Sequence, residues 1–399
     1  MPANGDFLVY AELLSNIRQI SVVASFSSPV NASTKAEVSQ HGRQLQVVHQ
    51  GHAEMVLLPA RVVAPAAALA LRQGVLDVSW RLPVEQSEAR STHFSLENQV
   101  LPWTSVDIEA GSRIACRKCD STFVSKGTIR AWKDLPSENW AEMMEFWHCH
   151  KPNDDHQHDT ESLASKGYGA NNAISAQPGI GFVDLTSFLF SESNCVGLTY
   201  SSSTVDAGFD LSSLALDDTA PRKFLHVFCK KCNTEVGLFN VLALSVTLFK
   251  WQITCQTFAP SLNPSSSECL AATLMATISR SGSSKSIITP HMLGSSPPEL
   301  DQPRTDLYLW VLNPNVVYSS SSIEGSKTAM KILYRSIEQE EGNKLIESLN
   351  SDVQEISLPQ PAIEAAKETL KSSSLLLPTR ERTFKEWDVG LLERWELSN

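Results

Sequence analysis

Two Cys-x-x-Cys pairs, Cys116/Cys119 and Cys229/Cys232, constrain what this chain can fold into more than any other feature. A four-residue loop of this kind points two thiolates at one cation, and two loops supply the four sulfurs that tetrahedral zinc prefers. Each loop is half a site, so the fold must bring distant positions together. Strand-like residues precede both pairs, Ser-Arg-Ile-Ala before Cys116 and Phe-Leu-His-Val-Phe before Cys229, and more follow each. Each knuckle is therefore expected at a strand end. A redox dithiol or unrelated buried thiols are the alternatives, but one shared structural zinc accounts for both spacings. Such a site is closed and leaves no position for a hydrolytic water, which argues against a zinc hydrolase.

Composition narrows the remainder. The 399 residues carry a formal net charge of -11, which speaks against a general nucleic-acid surface, because phosphate binding needs clustered lysine and arginine. Eight cysteines are thin over this length and four have metal spacing, so a reducing compartment, cytoplasmic or nuclear, is expected rather than a disulfide scaffold. The first residues lack a basic stretch and an apolar core, so no secretory signal is expected. The apolar run from Val236 to Trp251 is interrupted by Asn240, Ser245, Thr247 and Lys250 and is shorter than the roughly 20 residues of a membrane helix. It reads as buried strand, and no membrane partner is expected.

Along the chain, Gln19 to Phe26, Leu45 to His49, Met55 to Leu58 and Val75 to Leu82 are short strand-like runs separated by turn residues. Ala64 to Leu71 is the exception, with alanines suited to a turn or two of helix. His41, His49 and His52 could suggest a metal, but exposed or satisfied histidines are the simpler reading. Phe182 to Phe190 and Leu244 to Thr254 read as strands, and residues 201–219 as a Ser/Asp-rich loop. Ser265 and Glu268 have capping-box spacing ahead of a helix ending at Gly282. A Ser/Pro-rich linker is expected from Ser279 to Pro303, strands at Leu307 to Leu312 and Met330 to Tyr334, and a helix from Pro361 to Lys371. In Phe384 to Trp395, Val389 and Gly390 disfavour helix, and a final strand is expected. The fold class is α+β and mostly β: twisted antiparallel sheets pinned by zinc held between the two distant knuckles, with a few helices. Three regions are expected, an N-terminal β domain at 1–103, a zinc-knuckle domain at 104–260 with an insertion at 151–220, and a C-terminal α+β region at 261–399.

Between the knuckles, Trp140, Met143, Met144 and Trp147 form a helical seam that Ser137 or Asn139 can cap and Pro152 limits. The following loop crowds Asp154, Asp155, His156, His158 and Asp159; a solvated insertion is the simpler account of it than a second metal site. The first Cys-x-x-Cys, the Trp-x-x-Leu-Pro-Ser-x-Asn-Trp run from Trp132, the Trp-x-Cys-His end at Trp147 to His150 and the second Cys-x-x-Cys together resemble the HECT-like ubiquitin-conjugating-enzyme-binding family of eukaryotes. Leu309 to Asn313, Ala329 to Tyr334 and Trp387 to Arg394 fit the same pattern, so the resemblance covers most of the chain. It implies a ubiquitin-protein ligase, with a charged ubiquitin-conjugating enzyme, ubiquitin and a protein substrate as partners, and it suggests a link to a pre-mRNA 3′-end processing nuclease. Any link to RNA would run through protein. A non-enzymatic, zinc-stabilised binding protein is the alternative.

A covalent ligase needs an accessible thiolate outside the metal site. Four cysteines remain, Cys149, Cys195, Cys255 and Cys269. The resemblance points to Cys149, at the Trp-x-Cys-His position beside His148 and His150, although a helix C-terminus disfavours a thiolate and this thiol could instead pack or join the metal shell. Cys269 is the runner-up, because the first turn of a helix lowers a thiol's pKa, while the alternative for it is a small buried residue.

Overall fold

The computed structural model describes residues 7–63, 68–85, 100–135, 176–201, 224–258, 263–291, 305–348 and 350–396. The protein is mostly β, built from curled sheets that are largely antiparallel, with three α-helices among the described residues. None of these helices is long and apolar enough to cross a membrane. Two compact units divide the chain. The first comprises Met1–Gln99, Leu274–Pro290 and Pro303–Arg394; the second comprises Val100–Thr273, His291–Gln302 and Trp395–Asn399.

The first unit is organised on a nine-stranded sheet. Phe7–Leu14 pairs with Gln19–Phe26 on one side and with Thr305–Ser320 on the other. Thr305–Ser320 continues antiparallel to Lys327–Glu338, which pairs with Trp387–Glu393. Residues of the first and last expected regions thus share one sheet, because strands pair by complementary faces and free edges rather than by order along the chain. Register slips between Val311 and Val316, around Pro314, whose ring nitrogen has no proton to give the ladder.

The expected strands at Leu307 to Leu312 and Met330 to Tyr334 are segments of these longer ones. The linker expected from Ser279 to Pro303 contains a strand, Lys285–Pro290, antiparallel to Thr305–Ser320 and parallel to Gln354–Leu358. Its Ile287 and Ile288 are fully buried, and that apolar pair outweighs the surrounding serines. Ala68 bridges to Glu37 and Ala68 to Leu71 are not helical; residues 64–67 lie outside the described residues.

Helix Gln360–Ser374 starts with Pro361 in its first turn and buries Ala362, Ile363, Ala366 and Leu370. The expected C-terminal strand is present, and Gly390 has a specific task in it. A side-chain carbon at position 390 would sit 2.7 Å from the Leu370 carbonyl oxygen, so only glycine lets helix and strand approach this closely.

The second unit holds a seven-stranded sheet and a three-stranded one. In the larger sheet Leu198–Ser201, Phe224–Cys229, Glu235–Asn240, Ser245–Phe249, Ser187–Ser191 and Ile180–Val183 are successive antiparallel neighbours, and Ala131–Asp134 closes it in parallel. The run read as one strand from Phe182 to Phe190 is thus a hairpin turning at Asp184 to Thr186. The run from Leu244 to Thr254 is likewise broken, by a 3-10 turn at Lys250–Gln252. Ile114–Cys116 lies between Thr122–Val124 and Ile253–Thr254 in the smaller sheet. Trp103, Phe123, Phe188, Phe190 and Phe239 fill the core of this unit, and Cys116 and Cys229 belong to the same buried cluster.

Candidate metal centre

Each cysteine pair closes a hairpin with the same backbone pattern. In the first, the Asp120 amide donates to the Cys116 carbonyl at 2.9 Å and the Cys116 amide to the Ser121 carbonyl at 2.8 Å. In the second, the Asn233 amide donates to the Cys229 carbonyl at 2.8 Å and the Cys229 amide to the Thr234 carbonyl at 2.9 Å. The residue after the second cysteine is left-handed in both, Asp120 at φ 58° and Asn233 at φ 53°. Asp and Asn are the side-chain-bearing residues that tolerate this conformation best, which gives the repeated Cys-[Arg/Lys]-Lys-Cys-[Asp/Asn] pattern a backbone cause. That pattern is readable from the sequence alone.

The segment between Cys195 and Leu198 ties the knuckles together. The Val196 amide donates to the Phe123 carbonyl, behind the first knuckle, and the Lys230 amide inside the second donates to the Gly197 carbonyl. Cys116 and Cys232 sulfurs then lie 3.6 Å apart, Cys119 and Cys229 sulfurs 3.5 Å apart, and all four fall within 4.8 Å of one another. A tetrahedral ion with sulfur ligands at about 2.3 Å has sulfur–sulfur edges of about 3.8 Å. The four cysteines therefore fit one structural metal ion. Burial pushes the Cys116 thiol up to about 12. At Cys232 burial acts the same way, but hydrogen bonds from Thr234 and the neighbouring thiols outweigh it and bring the group down to about 6.

Two cations missed in the sequence brace this end of the unit. The Arg117 guanidinium, inside the first knuckle, donates to the carbonyls of Lys250 at 2.9 Å, Ile253 at 3.2 Å and Pro264 at 2.9 Å. It thereby fixes the turn that follows Ser245–Phe249. Lys250 is 1% exposed and donates to the Pro102 and Trp103 carbonyls at 2.6 and 3.0 Å, with burial lowering its pKa to about 8. Arg and Lys at 117 and 250 read as surface residues in a local pattern; only the tertiary fold turns them inward.

Among the other thiols, Cys269 lies in the first turn of helix Ser266–Ser281, as expected, below a capping box in which Ser265 and Glu268 bond reciprocally at 2.8 and 3.1 Å. It is fully buried, and burial pushes it up to about 12 despite Lys250 and Arg117. Burial pushes Cys255 and Cys195 up to about 12 as well. As placed, none of these three is an activated, accessible thiolate. Cys149, the seam from Trp140 to Trp147 and the acidic, histidine-rich loop from Asp154 to Asp159 lie outside the described residues. His49 is a satisfied core histidine, bonded to Ser28 and Thr34 hydroxyls at 2.9 Å each and packed on Phe7 and Phe26.

The raised pKa of these three thiols, buried at Cys269 and partly buried at Cys195 and Cys255, gives stability a pH dependence. Their folded pKa lies above the 9.0 of an exposed cysteine, so their contribution is complete below pH 9 and is lost as pH rises from 9 toward 12. Lys250 works in the opposite direction between about 8 and 10.5, but it is one group against three. Urea midpoints measured from pH 7 to 11 are expected to fall above pH 9. The fall should be shallower in a Cys255→Ala, Cys269→Ala double variant; an equal slope would refute the assignment.

Paired cysteine knuckles that close one four-sulfur site at the end of a β core define a β protein with a candidate structural-metal site. A family model described as HECT-like ubiquitin-conjugating enzyme (E2)-binding matches residues 12–389, and the chain belongs to that family. An uncharacterized protein of Saccharomyces cerevisiae is 21% identical over 394 residues, covering 95% of this chain and 97% of the relative. An uncharacterized protein of Schizosaccharomyces pombe is 44% identical over 61 residues, 14% of this chain and 17% of the relative.

Proposed function

We propose that this protein is a ubiquitin-protein ligase that binds a charged ubiquitin-conjugating enzyme and promotes transfer of ubiquitin to protein lysines, in the cytoplasm, the nucleus or both. The family match over residues 12–389 carries the reading, since that family is described by its binding to the conjugating enzyme. The four-cysteine site holds a structural zinc in this reading. With all four positions taken by sulfur, zinc would supply no catalytic water and would instead fix the two hairpins.

The route of transfer follows from the thiols. Cys195, Cys255 and Cys269 are held protonated by burial, so a covalent relay would run through Cys149, the position to which the family resemblance points. Without a relay, the protein would align the thioester of the bound enzyme with the attacking lysine amine, which requires binding and orientation but no thiol of its own. The raised pKa of Cys195, Cys255 and Cys269 also favours a second reading, a zinc-stabilised scaffold that holds a partner such as a pre-mRNA 3′-end processing nuclease.

Incubation with a panel of ubiquitin-charged conjugating enzymes, followed by non-reducing intact mass, separates these routes. A thiol-sensitive ubiquitin adduct that Cys149→Ser removes and Cys269→Ser retains is the expected covalent result. Faster discharge without an adduct would indicate alignment. No adduct and no acceleration across a broad panel would overturn the ligase reading in favour of the scaffold.

A further inference from the structure

A cleft of about 320 Å³ opens on the nine-stranded sheet of the first unit. Its floor is built across three strands in register, where Arg81 pairs with Ser21 and Ser21 with Glu12. Glu12 is 7% exposed, accepting from the Tyr10 hydroxyl at 3.0 Å and from the Lys331 ammonium at 2.8 Å. Lys331 also lies 3.9 Å from Glu381. Leu14, Leu333 and Val389 give the cleft apolar walls, and Leu312 and Phe384 line it while remaining 48% and 50% exposed.

The charges are unbalanced in one direction. Lys331 serves the two acidic side chains, Glu12 and Glu381, whereas the exposed guanidinium groups of Arg81 and Arg380 make no hydrogen bond or ion pair among the described residues. Three cations against two anions leave the cleft positive within a chain of net charge -11. Guanidinium groups pair with carboxylates in a two-pronged geometry, and half-exposed leucine and phenylalanine offer a seat for an apolar side chain. A nucleic-acid backbone needs a run of cations to match its evenly spaced phosphates, and two unpaired arginines beside an apolar seat suit a short acidic peptide better.

We propose that this cleft docks an acidic peptide segment of a partner protein, with one or two apolar side chains seated against Leu312 and Phe384 and flanking carboxylates paired with Arg81 and Arg380. The proposal does not depend on the ligase reading, because any activity of the protein would need its partner held.

The test uses the full chain with its metal and a fluorescein-labelled ten-residue peptide in which Leu-Phe is flanked by glutamates, read by anisotropy. Saturable binding that weakens with added salt is expected. Arg81→Glu and Arg380→Glu should each weaken it about tenfold or more, and Phe384→Ala severalfold. Peptides with lysine in place of glutamate, or serine in place of Leu-Phe, should bind at least tenfold more weakly. Unchanged affinity in the double charge reversal, equal binding of the lysine peptide, or no binding of the acidic peptide at about 1 mM, which corresponds to only about −4 kcal/mol, would overturn the proposal. Displacement of the peptide by a U-rich RNA that binds more tightly would assign the cleft to nucleic acid instead. All three side chains changed are at the surface, and an unaltered thermal transition in each variant shows that the fold is retained.

Discussion

Cys116→Ser and Cys232→Ser are each expected to abolish stoichiometric metal binding and to unfold the second unit at temperatures where the wild type is intact. A serine hydroxyl does not ionise to replace a thiolate, and a three-sulfur remnant leaves the ion open to water and to chelators. The cost falls on the fold because the site is the closing contact between hairpins that are separate in sequence. Cys116 and Cys229 are buried in the same cluster as Phe123 and Phe239. Structural zinc contributes on the order of 10 kcal/mol to the folding of small zinc domains, comparable with the whole stability of an ordinary domain at about 5–15 kcal/mol. Acid should imitate the substitution. The ligands bind metal as thiolates, so protons compete and release the ion as pH falls. Metal analysis alongside thermal melts, with and without chelator, tests the claim; full metal content in either variant would refute the four-sulfur site.

Gly237→Ala should be nearly as damaging without touching a ligand. Gly237 pairs with Leu248 in the sheet, and a side-chain carbon there would overlap the Thr247 carbonyl oxygen and lie 3.1 Å from Leu248 Cα. These are backbone atoms in a central strand pair and have no rotamer by which to withdraw. The strand concerned begins three residues after Cys232, so relief of the overlap would pull on the second knuckle. A loss of about 3 kcal/mol or more is expected, in the range of overpacked cores, with weaker metal retention under chelator challenge. An Ala variant with a wild-type urea midpoint would refute the tight approach of the two strands at this position.

The features legible in the sequence were those whose cause is local. A Cys-x-x-Cys loop carries its geometry within four residues, and the Ser265/Glu268 box needs only one helical turn; both are present. Val389 and Gly390 gave the final strand correctly, although the close approach of Leu370 to Gly390 lies in no local pattern. Breaks inside apolar runs were missed at Asp184 to Thr186 and at Lys250–Gln252, where alternation continued across the bend. Ile287 and Ile288 were hidden among serines and prolines. Arg117 and Lys250 could not be read inward, because their carbonyl partners come from chain segments brought near only by the tertiary fold. At the candidate site the four cysteines were evident, and what holds their hairpins together, the segment from Cys195 to Leu198, was not.

The pairing of Phe7–Leu14 with Thr305–Ser320 also sets an order of assembly on the ribosome. At roughly 5–20 residues per second, the early strand waits about 15–60 s before its partner has been synthesised. During that interval the hairpin of Phe7–Leu14 and Gln19–Phe26 presents an open, apolar edge, the kind of surface that attracts chaperones or other nascent chains. Most of the second unit is contiguous, Val100–Thr273, and can bring its four-cysteine site together in the meantime. Metal supply during synthesis would then govern how much of the newly made chain is already anchored when the long sheet finally closes.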